Sequence, residues 1–326
     1  MTIYGNEPIL QLIRTMAARD RLPHAALIYG ERGRGRKTIA RYFAMTALCT
    51  GENAPCGVCS SCRKILQDTD EIHPHPDFLW VEHSGKKQGF SVETVRGICK
   101  DAIVAPNDGA RKVYLFADCD SMDIRAQNTL LKLTEEPPPH VLLLFTAEHR
   151  NVFLTTMLSR MMPLAVRPCA PEDCLRALTE EHGIAQREAE RAVAACGGNI
   201  GRALAWLSDP EMQEMTADTA EVTKAIAERK LYDVLRILAR YEKDRFKAAE
   251  MLRLLDLQVR DAMLLKYGMT ELAGCDRDSA QALSGAVSAG RSRMLHEAVQ
   301  SAYEALQANV SVKLVLASLG GTLLSS

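Results

Sequence analysis

Gly30-Glu31-Arg32-Gly33-Arg34-Gly35-Arg36-Lys37-Thr38 follows directly on the apolar run Ala25 to Tyr29 (AALIY) and precedes the helical pattern Ile39 to Leu48. A glycine-rich turn between a buried strand and a helix is where a phosphate-cradling loop belongs, and its working form is GxxxxGK[ST]. The glycines let backbone N–H groups curl around the phosphates, the Lys reaches the β- and γ-phosphates, and the hydroxyl holds Mg²⁺. Counted from Gly30 to Gly35, the Lys position holds Arg36 and the hydroxyl position holds Lys37, so Lys37-Thr38 arrives one residue late. One residue on a helix is a rotation of about 100°, which turns Thr38 away from the metal position. Arg36 keeps a positive charge, but a planar guanidinium does not replace a compact ammonium in a tight cradle. The loop reads as a P-loop by ancestry that has lost ATP hydrolysis. The bland alternative is a chance Gly/Arg-rich turn.

Upstream, Ile9, Leu10, Ile13 and Met16 recur at helical spacing within Asn6 to Ala18. Downstream, Ala40, Ala44 and Leu48 predict a narrow apolar helix face against a sheet. That helix runs into Cys49, and Cys56, Cys59 and Cys62 complete the pattern Cx6CxxCxxC. Four thiolates so close in sequence suit one tetrahedral Zn²⁺, and a site closed by four sulfurs has no place for a reactive water, so the zinc is structural. Iron–sulfur ligation is the rival, but Arg63 to Leu66 lacks the further Cys, followed by Pro, of the ferredoxin run. His73, His75 and His83 stand at no ligand spacing to the cluster and read as loop residues.

Further strands are predicted at Asp77 to Val81, Lys112 to Phe116, Val141 to Thr146 and Leu164 to Val166. Between them, helices are predicted from Val92, capped by Ser91, to Ile103, and from Ala126 to Glu136, with Leu130, Leu131 and Leu133 on the buried side and three prolines as the stop. The stretch from His83 to Phe90 reads as a loop. After the Lys112 strand an ATPase places an acidic pair; this chain has Ala117 and then Asp118, with Cys119 in the base position if Asp118 is the metal residue.

With 326 residues the chain suggests two or three domains, and a net charge of −1 carries no global signature for nucleic acid, so DNA contact must come from a local patch or from partners. No apolar run reaches membrane-spanning length and the N-terminus has no signal pattern, which predicts a cytoplasmic protein without membrane contact. Of the ten cysteines, Cys99, Cys119, Cys169, Cys174, Cys196 and Cys275 are scattered in apolar surroundings and read as reduced, buried thiols.

The ordered runs LPHAALIYGERGRGRKTIA, CTGENAPCGVCSSC, KVYLFADCDSM, AQNTLLKLTEEPPPH and TTMLSRM resemble the AAA+ subunits of the bacterial replicative clamp loader of DNA polymerase III, the gamma/tau and delta-prime group. The resemblance covers most of residues 1–168 and continues more weakly to the C-terminus. It implies an α/β AAA+ domain with a parallel five-stranded sheet at 1–168, carrying the zinc module at 49–62, then a small helical lid domain at 169–210 and an all-α collar domain at 211–326. Gamma/tau keeps GxxxxGKT, an Asp-Glu pair and an Arg in a GxxR segment; here Arg36 and Lys37, Ala117 and Asp118, and Gly201 of GNIGRAL replace them, with Arg202 next door on another side of its helix. Three defects in one nucleotide site look like the delta-prime branch, whose members do not hydrolyse ATP. Inert nucleotide binding stays open.

Ser159 and Arg160 match the family's SRC element, with Met161 in the Cys place. The resemblance makes Arg160 an arginine finger that acts in trans on the γ-phosphate bound by a neighbouring subunit, an effect worth roughly 10³ to 10⁵ in rate where it is established. Without the resemblance, Arg160 reads as a solvated helix-end residue. The partners so implied are gamma/tau and delta subunits in a five-membered ring and, through the ring, the sliding clamp and primer–template DNA. In the C-terminal half, helical patterns occur at 171–182, 186–196 and 200–207. Apolar stripes at Leu231/Val234/Leu235/Leu238, Leu252/Leu255/Val259/Met263 and Leu295/Val299/Ala302/Leu306 read as a bundle core closed by an apolar helix, Val310 to Leu324. Arg32, Arg34, Arg36, Lys37 and Arg41 read by default as a solvated basic loop, with phosphate or DNA-backbone contact as the sharper option. Two rivals stand beside the delta-prime reading. One is an active clamp-loader ATPase re-registered on Lys37 and Thr38; the other is a stand-alone zinc-stabilised nucleic-acid-binding protein.

Overall fold

Burial decides how the apolar runs are used. In the computed structural model, which describes residues 2–67, 74–82, 90–269, 276–308 and 310–324, the chain divides into two compact units, Met1–Arg167 and Pro168–Ser326. The first unit runs α1 (Glu7–Ala18), β1 (Ala25–Tyr29), α2 (Arg36–Leu48), α3 (Ser60–Leu66), β2 (Phe78–Glu82), α4 (Val92–Asp101), β3 (Lys112–Ala117), α5 (Ile124–Glu135), β4 (Val141–Ala147), α6 (Thr155–Leu158) and β5 (Met162–Ala165). The strands form one parallel sheet in the order β2-β3-β4-β1-β5.

The near-continuous apolar runs of β1, β3 and β4 suit strands covered on both faces. Ala26 and Ile28 point to the core shared with α1, α2 and α3, whereas Ala25 and Leu27 point to the core shared with α4 and α5, where Phe116 and Phe145 stack at 5.1 Å. This is a parallel α/β sheet covered by helices on both faces, with the glycine loop leaving the carboxyl end of its second-from-edge strand, β1.

Three expectations change. The helix after the glycine loop has no narrow apolar face: Ile39, Ala40, Tyr42, Phe43, Ala44, Met45, Thr46 and Leu48 are all buried, because α2 lies under α1 and α3 as well as against the sheet. Leu131 is half-buried while Leu130 and Leu133 are buried, as the 100° step per residue requires. His73, His83, most of the stretch from His83 to Phe90, and Cys275 lie outside the described residues. Cys119, Cys169, Cys174 and Cys196 are buried, but Cys99 is only half-buried.

The second unit is helical: α7 (Pro171–Arg176), continued by a wider turn over Ala177–Glu181, α8 (Gln186–Cys196), α9 (Ile200–Ser208), α10 (Pro210–Ala227), α11 (Leu231–Leu238), α12 (Arg245–Lys266), α13 (Arg277–Ala286), α14 (Ala289–Gln307) and α15 (Val312–Leu324). A small core built on Cys174, Leu178, Ala192, Cys196, Ala203 and Trp206 joins α7, α8 and α9. A larger one, including Val222, Ile237, Leu255, Val299 and Leu319, joins α10 to α15. On α15 Leu314 stays exposed while Val315, Leu316, Leu319 and Leu323 are buried. Where α8 turns into α9, Cys169 donates its N–H to Gly198 O at 3.0 Å, and a Cβ at 198 would lie 1.8 Å from Cys169 O.

Candidate functional site

The glycine loop has the backbone conformation that only glycines take at little cost: Gly33 and Gly35 have φ of 88° and 85°, and a Cβ at Gly30 would come within 2.6 Å of Val166 O. Gly35 is the N-cap of α2, Arg36 and Lys37 open the helix, and Thr38 Oγ1 is 3.9 Å from where a Cβ at Gly35 would sit.

The cations of the loop are already engaged. Arg36 is 5% exposed and its Nη2 donates to Asp118 Oδ1 at 3.2 Å, while Lys37 Nζ lies 2.9 Å from Asp118 Oδ2. Arg36 Nη1 stands 3.9 Å from Asp120 Oδ2, and it is buried without a hydrogen-bond partner. Asp118 itself is in the left-handed region (φ 53°) and donates its N–H to Thr146 Oγ1 at 2.8 Å. One carboxylate at the end of β3 therefore pairs with both cations that a P-loop would turn toward phosphate, with Asp120 as a second acid near Arg36. Cys119, beside it, is fully buried, donates its S–H to Phe116 O and has its pKa pushed well up by burial, so it cannot serve as a base.

The reading of a solvated basic loop is corrected by the same contacts. Arg34 pairs with Glu31 at 2.6 Å with both side chains mostly buried, and Arg41 stacks over Trp80 at 4.7 Å. The acids that neutralise the run are distant in sequence or of ordinary spacing, so charge counting alone does not find them.

Cys49, Cys56, Cys59 and Cys62 converge beyond α2, their Sγ atoms all within 4.8 Å of one another. A tetrahedral thiolate site with metal–sulfur bonds of about 2.3 Å has sulfurs about 3.8 Å apart, and Cys49 and Cys59 are 3.9 Å apart. Backbone N–H groups of Cys56, Cys59 and Cys62 point at Cys49, Cys56 and Cys59 Sγ at 3.4, 3.3 and 3.4 Å, the donors that thiolates need. Burial opposes ionisation of Cys59, but the N–H groups of Cys62 and Thr50 outweigh it and hold its pKa down at about 5. Burial pushes the Cys62 thiol up. Gly51 belongs to the cradle, since a Cβ there would meet Cys56 Sγ at 2.8 Å. The residues fit one metal ion held by four sulfurs. His75, by contrast, is buried and accepts the N–H of Asp77 on Nδ1 at 3.1 Å, a loop-fixing contact.

Arg160 closes the turn after α6. Its Nη1 donates to Thr156 O at 2.7 Å and to Ser159 Oγ at 3.2 Å, and its Nη2 pairs with Glu135 Oε1 at 3.0 Å, with 36% of the side chain exposed. Ser159 Oγ donates to Thr156 O at 3.0 Å. Met161, in contrast, is buried in the α4–α5 core. In the register of the edge pair, Met162 faces Ala26 and Ala165 faces Tyr29. Arg160 thus lies beyond the amino end of β5, about 13 Å of strand from the glycine loop. It cannot reach the phosphate position of its own chain.

A family model described as DNA polymerase III, delta subunit, matches residues 5–170, just over half of the chain. The chain belongs to that family. Among curated relatives of this family member, the DNA polymerase III subunit delta' of Pseudomonas aeruginosa is 28% identical over 222 residues, covering 66% of this chain and 65% of that protein. The delta' of Bacillus subtilis is 25% identical over 225 residues, covering 68% and 65%. The DNA polymerase III subunit tau of Escherichia coli is 32% identical over 186 residues, covering 55% of this chain and 28% of the longer protein. The family match ends at the loop before α7, so it takes in the glycine loop, the four cysteines, Asp118 and Arg160 but leaves Gly201 and Arg202 on α9 outside.

Sequence reasoning for this family member finds Asp118 but misses its role as a counter-ion. It also misses Asp120, which accepts Glu148 N–H at 2.9 and 3.0 Å and faces Arg36, and the fully buried Thr146 that fixes Asp118. The run Asp118-Cys119-Asp120 was the available signal for the second acid.

Proposed function

We propose that this chain is a structural, non-hydrolysing subunit of a DNA polymerase III clamp loader, of the delta-prime type, that lends Arg160 to the nucleotide site of a neighbouring ATPase subunit. The observation that carries the reading is the Asp118 carboxylate bonded to both Arg36 and Lys37. Where ATP phosphates would need two free cations, the chain supplies its own anion, and no Asp-Glu pair follows β3 to organise Mg²⁺ and water.

Arg160 supports the second half of the reading. It is too far from its own loop to serve there, and it is held ready by Glu135 and Thr156 with about a third of the side chain open. Exchanging Glu135 for a γ-phosphate brought by a neighbour keeps the guanidinium paired throughout, and a guanidinium in trans stabilises charge on the transferred phosphoryl group.

In this reading Cys49, Cys56, Cys59 and Cys62 hold one structural Zn²⁺, which fixes the turn between α2 and α3 and, with all positions filled by sulfur, performs no reaction. Residues 169–210 act as the lid and 211–326 as the collar, with exposed Leu314 on α15 suited to subunit contact. The partners are gamma/tau and delta subunits in a pentameric ring, with the sliding clamp and primer–template DNA reached through the assembly. The setting is the cytoplasm; among the described residues no helix is long and apolar enough to cross a membrane.

The test is turnover by the isolated chain. It is expected to release no phosphate from ATP above background. Hydrolysis that disappears in Lys37→Ala would instead establish the rival ATPase reading.

A further inference from the structure

We propose that Glu135 is a restraint on Arg160: it holds the guanidinium back from the γ-phosphate of the neighbouring subunit and so keeps hydrolysis low in an assembly that has met neither clamp nor DNA. Glu135 in this role regulates the finger, and the role rests on the reading of Arg160 as acting in trans.

The donors of Arg160 show where two anions compete. A guanidinium carries its N–H groups in a planar fork, one on Nε and two on each Nη. Nη1 donates to Thr156 O at 2.7 Å and to Ser159 Oγ at 3.2 Å, which engages both of its hydrogens. The edge left for a bidentate phosphate is Nε–Nη2, and Nη2 is the atom that Glu135 Oε1 holds at 3.0 Å. A γ-phosphate on that edge meets the Glu135 carboxylate at the same nitrogen, and the two anions repel. Arg160 must leave Glu135 before it engages in full.

The position of Glu135 makes leaving costly. It is the last residue of α5, and Glu136 follows as the C-cap. The carboxyl end of a helix carries partial negative charge, so acids are disfavoured there and cations favoured. Arg160, reaching across from the turn after α6, supplies the counter-charge. Its departure uncovers Glu135 beside Glu136 and the carbonyl end of α5. The side chains of the pair are 36% and 45% exposed, so Glu135 weights the balance between held and free finger as an exposed ion pair does, by about two- to fivefold.

The test is ATP hydrolysis, with and without clamp and DNA, by the cognate clamp-loader ATPase assembled with this chain as wild type, Glu135→Gln, Arg160→Ala or both together. Without clamp and DNA, Glu135→Gln is expected to raise turnover about two- to fivefold, and the double variant to fall to the rate of Arg160→Ala. A folding or assembly defect lowers turnover and cannot give the rise. If Arg160→Ala slows the stimulated reaction but Glu135→Gln is no faster than wild type without stimulation, the restraint is overturned and the finger stands. A rise that persists in the double variant also overturns the restraint, since the effect would not pass through Arg160. Arg160→Ala as fast as wild type under stimulation overturns the finger and the restraint with it.

Discussion

Replacing Asp118 by Asn removes one negative charge from beside Arg36 and Lys37 and leaves the backbone in place, since Asn tolerates the left-handed conformation that Asp118 adopts. Removing one partner of a buried ion pair costs about 3–5 kcal/mol. Here the Asp118 side chain is 38% exposed and Asp120 stands 3.9 Å from Arg36, which reduces the figure to about 1.5–2.5 kcal/mol. For a unit of this size that lowers the melting temperature by about 3–10 °C. The freed Arg36 and Lys37 then form an anion site: pyrophosphate at ten times its dissociation constant returns about 1.4 kcal/mol, or about 3–6 °C. Thermal denaturation of wild type and Asp118→Asn over a pyrophosphate titration measures both effects. The expected pattern is a less stable variant that the anion rescues, beside a wild type that does not respond. Equal stabilisation of the wild type would refute the internal counter-ion, because it would mean that phosphate displaces Asp118 at no cost.

Further outcomes follow from other parts of the molecule. Wild-type chain purified without added metal is expected to carry one zinc by elemental analysis and the Cys59→Ser/Cys62→Ser double variant none; a wild type without zinc, or a double variant that keeps one, would rule out the four-sulfur zinc site. Gly198→Ala should lower unfolding free energy by about 2–4 kcal/mol in urea titrations, since its Cβ has no room against Cys169 O; a change under about 0.5 kcal/mol would contradict the packing. Burial holds the His75 pKa below its ordinary 6.5. Burial works against the Asp77 carboxylate, but the N–H groups of Asn107 and Asp108 outweigh it and hold its pKa below 3.8. Both are depressed on folding, so the unfolded chain takes up protons first: stability is present above pH 6.5 for His75 and above pH 3.8 for Asp77, and is lost as pH falls from each value toward the folded pKa. Melting curves against pH should decline in those two windows, with His75→Gln flattening the upper one.

The parts of the fold that the sequence announces are those where one local pattern suffices. Ala25–Tyr29 is apolar throughout and becomes a strand covered on both faces; Ser91 caps α4 as its position before an amphipathic run requires; and the cysteine spacing alone brings four sulfurs together. What stays hidden depends on contacts between distant segments. The burial of α2 on most of its sides comes from α1 and α3 packing over it, and neither α10, rich in Thr and Glu, nor the short α13 advertises an apolar stripe. At the site, Arg36 and Asp118 are 82 residues apart. The sequence identifies both as residues out of place in an ATPase, but only the fold makes them partners.

The central claim, an inactive loop with a working Arg160, is tested most directly by clamp- and DNA-stimulated ATP hydrolysis of the cognate clamp-loader ATPase assembled with this chain, wild type or Arg160→Ala. The account predicts that both assemblies form and that Arg160→Ala lowers turnover by at least about tenfold, a fraction of the effect of a finger in trans. Unchanged turnover in a fully assembled Arg160→Ala complex would contradict it.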